Sequence, residues 1–183
     1  LALREPNYES PFKVLFVGSL AIGKRPLYAI QWIEHCNASG IPCVLDMYGD
    51  GAEREKLEAY ITLNKLEALV RLHGNQDASR VQKVYQNAHF VILPSKSEGW
   101  PKVVAEAMFW GTIPLVTPIS CVPWMLGDGQ RGQILTLNVE ADVSAFAKAV
   151  SDKTTLTKMS IAGQHWSQGY TLDTFEKAID ELI

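Results

Sequence analysis

Short apolar runs alternate with amphipathic segments along this chain, and this alternation predicts strands that alternate with helices. The apolar runs carry few charges and stop at glycine, proline or polar turn residues, which is typical of strands buried on both faces of a parallel sheet. They cover residues 12–18, 43–48, 69–73, 89–93 and 113–117, and a shorter strand is predicted near residues 133–137.

Helical spacing of apolar residues fills most of the intervals between these runs. Pro26 suits the first turn of a helix over residues 24–38, and Asp77 can cap a helix whose apolar stripe runs through Tyr85. Residues 152–170 show no clear pattern. Further helices are predicted over residues 53–63, after residue 101, through Val143, Phe146, Ala147 and Val150, and through Phe175, Ala178, Ile179 and Leu182.

Repeated strand–helix units imply parallel pairing through right-handed crossovers. We therefore expect an α/β fold with a doubly wound, mostly parallel sheet of about six strands and helices on both faces. Residues 1–11 are expected to be the remnant of a linker, and residues 12–183 to form one domain. Because no initiator Met is present, the chain is expected to begin inside a longer protein.

Composition excludes several function classes. The 183 residues are 47% hydrophobic and 20% charged with a net charge of −3, so no basic surplus indicates a nucleic-acid partner. The apolar runs are too short to span a membrane. Cys36, Cys43 and Cys121 have neither disulfide-framework nor metal-site spacing, which favours free thiols in a reducing compartment.

The most informative pair is Glu98 and Glu106, which lie on either side of a predicted helix start after the strand at 89–93. Free backbone N–H groups at a helix N-terminus favour an anion. Two carboxylates beside such a cradle suit a diphosphate with hydroxyl-bearing groups at both ends, as in a nucleotide sugar. A simpler interpretation is that Glu106 only pairs with Lys102 on the helix surface.

A hydrolytic acid–base pair is the less favoured role for the two acids. Partly helical spacing places them roughly 10 Å apart. That separation meets or exceeds the ~5–9.5 Å of glycosidase carboxylate pairs, so they are expected to hold hydroxyls rather than move protons.

The loop after the first strand contains Gly18, Gly23 and Lys24 in a near match to a phosphate-binding P-loop. Arg25 stands where that motif needs Ser or Thr, and Pro26 removes an amide, so a P-loop NTPase is disfavoured. The dinucleotide fingerprint is absent, which disfavours a dehydrogenase. The loop still places Lys24 and Arg25 at the carboxyl edge of the sheet, either near a diphosphate or as solvated charges.

Three other features have two interpretations each. The turn at Gly49 either lines the site or only separates strand from helix. His73, followed by Gly74 at a strand end, lines the site or is structural. Trp100 packs beside the ligand or in the core.

Together these residues resemble a known family. The chain resembles the carboxyl-terminal donor-binding domain of retaining glycosyltransferases with the GT-B fold, the group 1 or family 4 class, and the match runs through nearly all of residues 12–137. The residues that carry the resemblance are Phe16-Val17-Gly18 with Lys24, Tyr48-Gly49-Asp50-Gly51, His73-Gly74, residues 88–95, Glu98-Gly99-Trp100-Pro101, Glu106-Ala107-Met108 and residues 111–116.

The resemblance implies a Rossmann-like fold and a role for each matching residue. Glu106 is expected to bind the nucleotide ribose, and Glu98 the hydroxyls of the donor sugar. Lys24 is expected to offset charge on the leaving diphosphate, so Glu98 and Lys24 are the expected catalytic residues. No metal or other cofactor is expected. Expected donor contacts also come from Arg25, from Gly49, His73 and Gly74, and from Gly99, Trp100, Pro101, Lys102 and Val103. The backbone amides between Gly99 and Val104 would cradle the diphosphate.

Two departures from the family pattern affect these expectations. Ser19 stands where an Arg is usual, and we hypothesise that Arg25 partly substitutes for it. After the fifth strand, Ser120, Cys121 and Trp124 replace a frequent Gly-Gly pair and a Glu.

The family also implies partners that this chain does not contain. An amino-terminal domain would carry the acceptor, a saccharide or lipid-linked saccharide, so this chain alone is expected to bind a nucleotide sugar without transferring the sugar. The last helix is expected to pack on that domain. A cytoplasmic location, peripheral at the inner face of the membrane, and a role in polysaccharide biosynthesis are expected. A non-catalytic nucleotide-sugar-binding or docking domain, and a nucleotide-sugar epimerase, remain as alternatives.

Overall fold

Six parallel strands form one sheet in the computed structural model, which describes residues 2–170. The strands are β1 Phe12–Val17, β2 Cys43–Tyr48, β3 Val70–Gly74, β4 Phe90–Leu93, β5 Ile113–Val116 and β6 Gln133–Ile134. Their order across the sheet is β3-β2-β1-β4-β5-β6. The chain therefore leaves β1 in one direction and returns to its other side with β4, which makes the β1–β4 junction the topological switch point.

A short 3₁₀ helix, Ile22–Lys24, follows β1, and seven α-helices lie within the described residues. They are α1 Pro26–Ala38, α2 Arg54–Leu63, α3 Ala78–Tyr85, α4 Lys102–Phe109, α5 Val122–Leu126, α6 Val139–Val150 and α7 Lys153–Gln168. None of these helices is long and apolar enough to cross a membrane.

The helices cover both faces of the sheet because successive strand residues point to opposite sides. Val14 of β1 belongs to the buried cluster that contains Trp32 of α1. The next residue, Leu15, belongs to the cluster that contains Tyr85 of α3. The doubly wound α/β fold predicted from the sequence is confirmed.

Local signals in the sequence set the helix starts. Pro26 occupies the first turn of α1. The Asp77 carboxylate accepts the N–H of Arg80 at 2.8 Å, as the predicted cap requires.

Gly49 has a φ of +135°, and a Cβ there would lie 1.9 Å from the carbonyl oxygen of Gly18. Only glycine lets the loops after β1 and β2 approach this closely.

Helix α7 occupies residues that show no clear pattern in the sequence. Its buried positions include Ser160, Gly163, Gln164 and Ser167, so no apolar stripe marks the helix. Ser160 Oγ instead donates to the Gly111 carbonyl at 2.8 Å. The predicted last helix, through Phe175 and Leu182, lies outside the described residues.

The part of the predicted linker that the structure describes packs against the domain. The Arg4 guanidinium donates to three main-chain carbonyls, those of Tyr85, Ala88 and Trp110, at 2.8–3.2 Å. Tyr8 is buried in the main core. Residues 4–8 therefore pack against the domain that follows them.

Candidate functional site at the switch point

The switch point brings Lys24 and Glu98 together. Lys24 follows β1 and Glu98 follows β4, and the Lys24 Nζ lies 2.5 Å from Glu98 Oε1 although the residues are 74 positions apart in the chain. The main-chain N–H of Lys96 also donates to the Gly23 carbonyl at 2.7 Å. The sequence predicted both charges at this edge, and the structure pairs them.

Helix α4 starts beside this ion pair and presents free N–H groups. Its N-cap position is Pro101, which has no capping side chain. The N–H of Lys102 bonds the Trp100 carbonyl at 2.9 Å, but within residues 2–170 the N–H groups of Gly99, Trp100 and Val103 have no acceptor. These donors lie at the positive end of the helix dipole, where an anion is stabilised.

Arg25 lies at the same edge of the sheet. It adopts a left-handed backbone conformation with a φ of +50°. Its Nη1 donates to the Pro94 carbonyl, directly after β4, at 3.1 Å. A guanidinium has five N–H donors, so this bond leaves others for a ligand. Ser19 is exposed and lines the smaller of the two cavities described below.

Glu106 projects from α4 into solvent and contacts Tyr85 at the end of α3. The Tyr85 hydroxyl lies 3.4 Å from Glu106 Oε2. Among the described residues Glu106 forms no ion pair, so the surface pair with Lys102 that the sequence allowed is not formed. Burial, and secondarily the Glu106 charge, raises the pKa of Tyr85 well above its usual range, which keeps the phenol protonated.

Two adjoining cavities lie along this edge. The first, of about 440 Å³, is lined by Gln76, Ala78, Val81, Gln82, Tyr85, Glu106 and Trp110. The second, of about 290 Å³, is lined by Val17, Gly18, Ser19, Tyr48, Gly49, Asp50, Asn75, Gln76 and Val81. They share Gln76 and Val81, so a single elongated ligand can contact both. Gly49 was expected at the site, whereas Gln76, Gln82 and Tyr85 were not among the predicted residues.

His73 is engaged by its neighbours. Its Nε2 lies 2.5 Å from Asp46 Oδ1, and its ring stacks on Tyr48 with centroids 4.5 Å apart and planes 6° apart. Gly74 accepts the N–H of Gly49 at 2.9 Å. Neither His73 nor Gly74 lines the two cavities. His73 and Gly74 therefore support the loop that contains Gly49. That either residue contacts the donor directly remains a prediction.

The loop after β5 contacts the α4 start. Ser120 Oγ donates to the Gly99 carbonyl at 2.7 Å. Trp100 and Trp124 are about half exposed, and their ring centroids are 6.4 Å apart. Trp100 therefore lies at the surface beside Trp124 rather than in the core.

Comparison with known proteins agrees with this architecture. Residues 4–166 match the sequence model of the family described as glycosyl transferases group 1. The chain belongs to this family, and the resemblance noted from its motifs is confirmed.

The relatives are longer proteins. The chain is 31% identical over 116 residues to the UDP-N-acetylglucosamine–peptide N-acetylglucosaminyltransferase GtfA subunit of Streptococcus agalactiae, an alignment that covers 63% of this chain and 22% of that protein. The crystal structure of a GtfA/B complex shares the fold with a TM-score of 0.84 at 22% identity, over 98% of this chain and 36% of that one. Anabaena Alr3699/HepE in complex with UDP matches with a TM-score of 0.81 at 19% identity, over 93% of this chain and 48% of that one. The chain thus spans less than half the length of each of these proteins.

Proposed function

We propose that this chain is the donor-binding half of a retaining glycosyltransferase that moves a sugar from a nucleoside diphosphate sugar to a saccharide or lipid-linked acceptor. The observation that carries the proposal is the Lys24–Glu98 ion pair at the switch point, directly beside the free N–H groups of α4. A cation, oriented amide dipoles and an acid at one edge of the sheet match the chemistry of a diphosphate joined to a hydroxyl-rich group.

In this proposal the diphosphate binds against the N–H groups of Gly99, Trp100 and Val103. Lys24 then lies between the diphosphate and Glu98, and its single positive charge offsets part of the negative charge on each side. Negative charge grows on the departing diphosphate in the transition state, so a cation fixed at that position lowers the barrier. Glu98 accepts hydrogen bonds from the donor sugar.

The other end of the donor is assigned to the larger cavity. The ribose diol would donate to Glu106, and the base would lie toward Gln76. Arg25 would supply part of the positive charge that Ser19 lacks. No metal is assigned to the reaction.

The acceptor and the second wall of the cleft would come from an amino-terminal domain. We place the whole enzyme in polysaccharide biosynthesis at the cytoplasmic face of the membrane. These assignments rest on membership of the family rather than on contacts in this chain.

Calorimetric titration with UDP, GDP and ADP tests the binding site. At least one nucleoside diphosphate should bind, and Glu106→Ala should weaken it by about 1–3 kcal/mol because charged hydrogen bonds to the ribose are lost. Glu140→Ala removes an exposed acid from the first turn of α6 and serves as the matched control. Equal affinities for wild type and Glu106→Ala would refute the ribose assignment.

A transfer assay with the whole protein separates the enzyme from the alternatives. Sugar transfer that is lost in Lys24→Met supports the proposal. Binding without transfer to any acceptor would identify a non-catalytic domain, and sugar interconversion without an acceptor would identify an epimerase.

A further inference from the structure

Tyr85 is held in one position by the core. Its side chain is 1% exposed and packs in the cluster that contains Leu15 of β1 and Ala107 of α4. Its carbonyl accepts hydrogen bonds from Arg4 Nη1 at 3.0 Å and from Thr112 Oγ1 at 2.6 Å. Because both the ring and the main chain are fixed, the hydroxyl occupies a defined point in the wall of the larger cavity.

Glu106, in contrast to Tyr85, is not held in one position by the core. It is exposed on α4, and within residues 2–170 no cation pairs with it. An exposed glutamate samples several rotamers, and ordering it on ligand binding costs side-chain entropy. The Tyr85 hydroxyl makes a long hydrogen bond to Oε2, at 3.4 Å, and this contact favours the rotamer that faces the cavity lined by Gln76 and Gln82.

We propose that Tyr85 is a positioning residue whose hydroxyl holds the Glu106 carboxylate in place to accept the two ribose hydroxyls of the donor. This inference rests on the proposed function, because it needs Glu106 to face a ribose. An ionised carboxylate offers about four lone-pair sites, so one bond to the phenol leaves enough for a diol. Preorganisation of this kind raises affinity by lowering the cost of ordering on binding.

The high pKa of the Tyr85 phenol, caused mainly by burial, means that the hydroxyl carries its proton at neutral pH and can only donate to a carboxylate. Phenylalanine preserves the buried ring and removes this single donor. Tyr85→Phe is therefore a selective test.

The chain offers a matched control. The Tyr60 hydroxyl donates to Glu34 Oε2 at 2.8 Å, in a tyrosine–glutamate pair between α2 and α1 that lines neither cavity. Tyr60→Phe removes the same kind of bond, so any general effect of losing a phenol on this fold appears in both variants.

The experiment titrates wild type, Tyr85→Phe and Tyr60→Phe with pyrophosphate and with whichever of UDP, GDP and ADP wild type binds best. We expect Tyr85→Phe to weaken nucleotide binding about two- to fivefold, as befits a long hydrogen bond, and to leave the binding of pyrophosphate, which has no ribose, unchanged. Tyr60→Phe should change neither. In a Glu106→Ala background, Tyr85→Phe should cause no further loss, because the group on which it acts is gone.

The outcomes are distinguishable. If wild type binds none of the three nucleotides, the proposed function itself fails. If wild type binds one and Tyr85→Phe binds it equally well, only the positioning role fails. The positioning role is also overturned if Tyr85→Phe weakens the binding of pyrophosphate and of the nucleotide equally. It is likewise overturned if Tyr85→Phe weakens nucleotide binding as much in the Glu106→Ala background as in wild type.

Discussion

His89 should make the stability of this domain depend on pH. The residue precedes β4, is 7% exposed, and its Nδ1 accepts the main-chain N–H of Lys13 at 3.1 Å. That bond requires an unprotonated Nδ1. Burial, together with the positive charges of Arg4 and Lys13, lowers the pKa of His89 to about 4.

The size of the effect follows from linkage. In the unfolded chain the imidazole has a pKa of 6.5, so between pH 6.5 and about 4 the unfolded state binds more protons than the folded state. The stabilising effect of a neutral His89 is therefore complete above pH 6.5 and is lost as the pH falls through this window. A shift of this size corresponds to about 3 kcal/mol in total, of which about 2 kcal/mol is lost between pH 7.5 and pH 5.

Urea unfolding at pH 7.5 and pH 5 measures this loss. Other groups also titrate, so the informative quantity is the difference between wild type and His89→Asn, whose amide oxygen can accept the same N–H without titrating. We expect wild type to lose about 2 kcal/mol more than His89→Asn. His165→Asn, at an exposed position of α7, should behave as wild type does. Identical losses in wild type and His89→Asn would show that the buried imidazole does not govern the pH response.

Three further substitutions test other contacts. Gly49→Ala should lower the free energy of unfolding by about 2 kcal/mol or more, because its Cβ would overlap the Gly18 carbonyl. Gly23→Ala, which has open space around its Cβ, should cost far less, and similar urea midpoints for the two variants would contradict this prediction. Arg25→Ala should weaken nucleoside diphosphate binding several-fold in calorimetry if Arg25 supplies positive charge to the diphosphate, and unchanged affinity would remove that role. Arg4→Met should lower the free energy of unfolding by about 2–4 kcal/mol, because three carbonyls lose a charged donor, and an unchanged urea midpoint would argue that residues 4–8 do not stabilise the domain.

Strands were more predictable than helices in this chain because burial on both faces leaves little choice of residue type. The bounds of β2 agree with the apolar run, and those of β1, β3, β4 and β5 agree to within about a residue. Helix α7 was not predicted because its contact with α4 is built around small and polar residues. Gly163, for example, packs against Met108, and Ser167 Oγ bonds the Ala105 carbonyl at 2.7 Å.

The candidate site was predictable as a set of residues but not as a set of contacts. Helix-start and strand-end signals placed Lys24, Glu98 and Glu106 at one edge of the sheet. The contact between Lys24 and Glu98 depends on β1 and β4 being neighbours, which is a property of the strand order. Tyr85 was predicted only as part of an apolar stripe, because nothing in a helical pattern shows that its hydroxyl reaches a carboxylate on another helix.

Three bonds join the loop after β1 to the loop after β4 and hold the two loops together. Residues 23–25 are joined to residues 94–98 by the Gly23 carbonyl, the Lys24 ammonium and the Arg25 guanidinium. Two of these bonds end on main-chain groups of the loop after β4, the Lys96 N–H and the Pro94 carbonyl, and they restrain its backbone. In the proposed function the donor would contact Lys24, Glu98 and Arg25, so only the bond between Lys96 and Gly23 is independent of the donor-binding side chains. If a diphosphate binds as proposed, it can draw on the Lys24 charge while the main-chain bond between Lys96 and Gly23 still holds the backbone that leads to the α4 amides.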